Sequence, residues 1–99
     1  MKVALELPIV SACDAQRCAY NAAGGCHARA ISVGDGAHAA CDTFFPSNCR
    51  VTSTQVQAGV GACTMRTCRH NVDYECTAEA IRVGVHADHA DCLTFDPTC

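Results

Sequence analysis

Ninety-nine residues with 49% hydrophobic content look sufficient for a core, but 17 Ala and 10 Cys supply more than half of that fraction and Trp is absent. The large apolar side chains that remain are few for this length, and a net charge of -3 with seven basic residues gives no electrostatic footprint for nucleic acid. No run approaches the roughly 18 consecutive apolar residues of a membrane span, so cysteine, as disulfide or metal ligand, is what remains to hold the chain together.

At the N-terminus, Met1-Lys2 and the apolar residues up to Val10-Ser11-Ala12-Cys13 superficially match a lipoprotein signal. Glu6 and Pro8 interrupt the run, however, and Val60-Gly61-Ala62-Cys63 recurs in mid-chain where no export signal can lie. The pattern belongs to a repeat. The chain therefore reads as cytoplasmic, a compartment in which thiols stay reduced and clustered cysteines bind metal more often than they pair.

Sliding the sequence against itself gives one register near fifty residues. Cys13, Cys18, Cys26, Cys41 and Cys49 fall on Cys63, Cys68, Cys76, Cys92 and Cys99, so the duplication accounts for every cysteine. Asn21 meets Asn71, Ala28-x-Ala30-Ile31-x-Val33-Gly34 meets Ala78-x-Ala80-Ile81-x-Val83-Gly84, His38 meets His89, and Thr43-Phe44 meets Thr94-Phe95. The expected fold is a small metal-stabilised protein of two tandem modules of short β-strands and loops with little helix. Its modules span 1–49 and 60–99, joined by a polar linker over 50–59 that could also form a short edge strand at Val51 to Val56.

In chain order, Asn21 to Gly25 reads as a turn, and Ile31 and Val33, alternating with Ser32, form a short half-buried strand ended by Gly34. Thr43-Phe44 supplies a second strand. The later copy repeats the scheme with a turn at Asn71 to Glu75, a strand at Ile81 and Val83 ended by Gly84, and another at Thr94-Phe95. Ala37 to Ala40 is too short to nucleate a helix.

A module of about forty residues lies where a metal, disulfides or association is usually needed for folding. The spacings C-x4-C-x7-C-x14-C and C-x4-C-x7-C-x15-C can bring four thiolates onto one tetrahedral Zn2+ per copy, two ions per chain. The ligands are Cys13, Cys18, Cys26 and Cys41 in the first copy and Cys63, Cys68, Cys76 and Cys92 in the second. Cys49 and Cys99 follow Pro46 and Pro97 near module ends and are left over once the tetrahedra are closed. Disulfides compete with this reading, but five cysteines per module would require a bridge between modules or a leftover thiol. No C-x-x-C is present to poise a redox dithiol, and although iron also suits four thiolates, rubredoxin-type iron would be expected on paired C-x-x-C loops.

The string Cys13-x4-Cys18-x2-Asn21-x4-Cys26-x-Ala28-x2-Ile31-x-Val33-Gly34 with Cys41-x-Thr43-Phe44 resembles the small four-cysteine bacterial family called domain of unknown function fifteen-forty. The copy from Cys63 to Phe95 is similar and would complete a tandem pair. The resemblance implies metal binding at the first four cysteines of each copy and gives no role to Cys49 or Cys99.

His38 and His89 each precede the fourth cysteine by three residues; with four thiolates closing the tetrahedron they read first as outer-sphere or surface side chains on a short loop, and by the H-x2-C spacing as alternative ligands, together with Cys49 and Cys99. His27 and His70 do not repeat, and the Asp88, His89 and Asp91 cluster, confined to the second copy, reads as a solvated loop. With eight thiolates and two zinc ions the loaded chain would carry a charge of about -7, a poor match for nucleic acid. A closed tetrahedron has no position for substrate, so the expectation is a non-enzymatic protein whose sites serve structure or a protein partner. The competing class is a zinc store or thiol buffer in which metal is cargo. The sequence does not indicate an oligomeric state.

Overall fold

A computed structural model describes residues 7–34, 38–86 and 89–98. Among these the secondary structure is strand, turn and loop in two repeat-like halves, and no helix is long and apolar enough to cross a membrane. The first half contains β1 (Ile9–Cys13), β2 (Asn21–Ala22), β3 (Gly25–Cys26) and β4 (Ala30–Val33). The second contains β5 (Gly59–Cys63), β6 (Asn71–Val72), β7 (Glu75–Cys76), β8 (Ala80–His86) and β9 (His89–Cys92).

Alternation of buried Ile31 and Val33 with less buried neighbours makes β4 an ordinary half-buried strand, as the pattern predicts. β1 is different. Val10 and Cys13 are both buried although they stand three residues apart, and the pairing register slips between Val10 and Ala12. The extra residue, Ser11, rotates the end of the strand so that Cys13 points to the side that Val10 already faces. β5 repeats the device, with Val60 and Cys63 buried around Gly61.

The strands interleave. In the main sheet, of order β4-β5-β1-β8-β9, β4 pairs in parallel with β5 of the other repeat, and β1 pairs in parallel with β8 of the other repeat. β1 and β5 meet antiparallel at Ile9 and Gly59, where Val10 N–H donates to Ala58 O and Val60 N–H to Pro8 O, as a pseudo-twofold axis requires. Two antiparallel bridges, Val33 with Cys41 and Ala40 with Asp91, then join the sheet's outer edges, so pairing runs around a closed ring. Val10, Val60, Ile31, Ile81, Val33 and Val83 are all buried at 3% exposure or less, three from each repeat in one common core. Each half is too small to bury these side chains alone, and sharing them solves that problem.

Several expectations need correction. No strand forms at Thr43-Phe44 or Thr94-Phe95; the strand and bridge lie just before them, at β9 and at Cys41. The threonines act instead through their hydroxyls, which accept hydrogen bonds from Ser32 N–H at 3.2 Å and Arg82 N–H at 3.1 Å. β8 runs through Gly84 to His86 because β9 pairs with it there. No strand forms over Val51 to Val56, a stretch tied to the first repeat by Val51 N–H donating to Ala19 O and by His27 Nδ1 lying 2.7 Å from Val56 O.

The turns at Asn21 and Asn71 are two-residue hairpins. Their left-handed positions are Ala23 and Gly24 in one and Asp73 and Tyr74 in the other, the geometry of a type I′ turn. The asparagines keep ordinary backbone and use their side chains, Asn21 Nδ2 donating to Cys13 O at 2.8 Å and Asn71 Nδ2 to Cys63 O at 2.9 Å. Each hairpin tip also accepts from a cysteine amide, Cys13 N–H to Gly24 O and Cys63 N–H to Tyr74 O.

Candidate metal centres

Four different local structures deliver the cysteines of each repeat. The bulged strand brings Cys13, and a turn in which Cys18 N–H donates to Ala15 O brings Cys18, held by its bridge to Pro46. The hairpin strand β3 brings Cys26, and the ring-closing bridge to Val33 brings Cys41. In the second repeat β5, the turn at Met65, β7 and β9 do the same for Cys63, Cys68, Cys76 and Cys92.

Each set lines one cavity. Cys13, Cys18, Cys26 and Cys41 surround a void of about 10 Å³, and Cys63, Cys68, Cys76 and Cys92 one of about 20 Å³. Val83 and Ala90 of the second repeat line the first cavity, while Val33 and Ala39 of the first line the second. The nine described cysteines carry free thiols. Cys49 is exposed and lines neither cavity, and Cys99 lies outside the described residues.

Burial pushes the thiol pKa of Cys26, Cys76 and Cys92 above the ordinary 9.0, and that of Cys41 up to about 11. Backbone N–H groups oppose it. Ala28 and Ala78 donate to Cys26 and Cys76, Thr43 and Phe44 to Cys41, and Thr94 and Phe95 to Cys92. Neighbouring thiols act as burial does, since a charge on one disfavours a charge on the next: Cys13 and Cys18 on Cys26, and Cys26 and Cys18 on Cys41. The same pattern recurs in the second repeat. Buried thiols that repel one another yet receive amide donors form a cradle suited to thiolates around a cation.

A model of the family described as Domain of Unknown Function (DUF1540) matches residues 12–44 and again 62–95. The chain belongs to that family. It carries the DUF1540 domain as a tandem pair, and each match takes in one cysteine set while leaving Cys49 and Cys99 outside. No curated protein and no solved structure matches the chain.

The repeated histidines stand apart from the thiols. His38 and His89, one from each DUF1540 repeat, line neither thiol cavity. They meet each other, with ring centroids 4.9 Å apart, and both approach Asp91. Asp91 is not on a solvated loop but in β9, at 9% exposure. His70 lines the second cavity where Tyr20 lines the first.

Among the described residues the group of three ligating side chains whose donor atoms all lie within 4.8 Å of one another is His38, His89 and Asp91. The four cysteines of each repeat are brought together as lining of one cavity.

Proposed function

We propose that this tandem DUF1540 protein binds one zinc ion per repeat through four thiolates, Cys13, Cys18, Cys26 and Cys41 in one site and Cys63, Cys68, Cys76 and Cys92 in the other. The ions serve structure, and the protein works through contacts with a protein partner in the reducing cytoplasm. The observation that carries this reading is the cradle: four thiols on one cavity, with backbone N–H donors at the third and fourth cysteines repeated in both halves. A cation relieves the mutual repulsion that burial imposes, and zinc accepts four sulfurs without a geometric preference of its own. A closed four-thiolate shell holds no substrate position, which fits a non-enzymatic role.

Metal analysis of the chain purified under reducing conditions, followed by chelator challenge, tests the proposal. The expected result is two zinc ions per chain held by the thiol centres, unfolding when they are stripped, and retention of both in Cys49→Ser. Iron in their place would change the ion but not the site. A chain that gives up its metal and stays folded would be a store rather than a structural zinc protein.

A further inference from the structure

Of the two bridges that close the ring of strands, the one between Ala40 and Asp91 joins the two repeats, and it gathers ligating groups from both. Cys41 N–H donates to Ala90 O and Cys92 N–H to Ala39 O, each at 2.8 Å, so Ala40 and Asp91 stand directly opposite in a non-hydrogen-bonded pair, where side chains are closest. Side chains two residues apart on a strand share a face, so His89 lies on the face of Asp91 in β9, and His38, in a bend two residues before Ala40, meets the His89 ring at 4.9 Å. The pseudo-twofold axis relates the two histidines and also relates Ala40 to Asp91. Two carboxylates would repel across this pair; with alanine at one position, a single carboxylate faces both imidazoles.

One donor atom from each of His38, His89 and Asp91 lies within 4.8 Å of the other two, close enough to share a cation. His38 Nδ1 lies 3.7 Å from Asp91 Oδ2, and His89 Nε2 lies 3.3 Å from Asp91 Oδ1. Nitrogen and oxygen donors at about 2.0–2.2 Å from a tetrahedral ion are separated by about 3.3–3.6 Å. Asp91 Oδ1 is buried and accepts no hydrogen bond, a costly state for a carboxylate oxygen unless something charged completes it. Side-chain exposure rises from 12% at Asp91 to 45% at His38, so the group runs from the core to the surface.

We propose that His38, His89 and Asp91 form a third metal site for a divalent transition cation of the zinc type, built across the seam between the repeats. Two imidazoles and one carboxylate suit Zn2+ rather than Mg2+ or Ca2+, which prefer oxygen-rich shells. Among the described residues three protein ligands meet here, the ligand number of an open zinc site. The ion fastens the first repeat to the second where the ring closes. Its ligands are separate from those of the thiol centres.

The test uses the full-length reduced chain, titrated with Zn2+ and followed by native mass spectrometry, alongside His38→Ala and Asp91→Asn. The wild type should take up one more ion than either variant, and loading of that ion should shift the ring nitrogen resonances of His38 and His89. Equal ion counts in wild type and His38→Ala, or unmoved ring resonances during uptake, would overturn the proposal. Failure of the thiol centres to load would contradict the four-thiolate reading instead, and the one-ion difference would still decide the seam site. A variant that loses its fold is replaced by His38→Gln, which keeps a polar side chain of similar reach but removes the imidazole.

Discussion

Tyr74 and Ala23 occupy left-handed backbone, at φ of 66° and 52°, in turns whose geometry favours Asn-Gly. A side chain there costs about 1 kcal/mol, and Tyr74 is exposed, so little packing offsets it. Tyr74→Gly should therefore raise stability by about 0.5–1 kcal/mol, read as a higher denaturant midpoint with metal content unchanged. A lower midpoint would mean that the Tyr74 ring contributes more than its exposure indicates.

The thiol protons set a second residue-scale expectation. Because burial holds Cys26, Cys41, Cys76 and Cys92 above the ordinary 9.0, protons compete with metal for these sulfurs throughout the neutral range. Metal uptake must then release protons, and affinity must fall as the pH drops. Proton release in weak buffer on adding zinc, with loss of zinc on acidification, is the expected result; pH-independent binding would exclude thiolate ligation.

Among the elements, β4 and the first part of β8 are legible in the sequence because Ile-x-Val alternates without interruption, whereas β1 and β5 are not. Their bulges at Ser11 and Gly61 break the two-residue period that identifies a strand, and these same bulges aim Cys13 and Cys63 inward. Thr43 and Thr94 repeat visibly, but nothing in the pattern separates a strand residue from a hydroxyl that caps a neighbouring amide. The hairpins are legible only as turns, since their left-handed residues differ between the copies. Ile81 is 1% exposed, lies on β8 and touches the second cavity. Ile81→Ala should cost about 2–5 kcal/mol in chemical denaturation and weaken the second metal centre. A cost below about 1 kcal/mol would contradict its place in the shared core.

For the whole molecule, the repeat is plain from sequence but its consequence is not, because two equal copies offer equivalent partners within a repeat and across repeats. The parallel pairs β4 with β5 and β1 with β8 both cross, so neither half keeps its sheet when separated. Residues 59–99 expressed alone should be unfolded as a monomer, or should dimerise so that a second copy replaces the missing half; a folded monomer by sedimentation and spectroscopy would show the interleaving to be dispensable. The meeting of His38, His89 and Asp91 was hidden for the same reason, since it exists only once the seam between repeats has formed. Its trace in the sequence is the repeated histidine beside an aspartate whose counterpart, Ala40, is small.

The central claim, that each repeat closes four thiolates around one zinc ion, is tested most directly by X-ray absorption at the zinc edge on the reduced full-length His38→Ala chain, in which the seam cluster is broken, carrying two equivalents of metal. The account predicts a first shell of four sulfurs at about 2.3 Å with no lighter donor. A shell containing nitrogen or oxygen at about 2.0–2.1 Å, at the expense of sulfur, would contradict it.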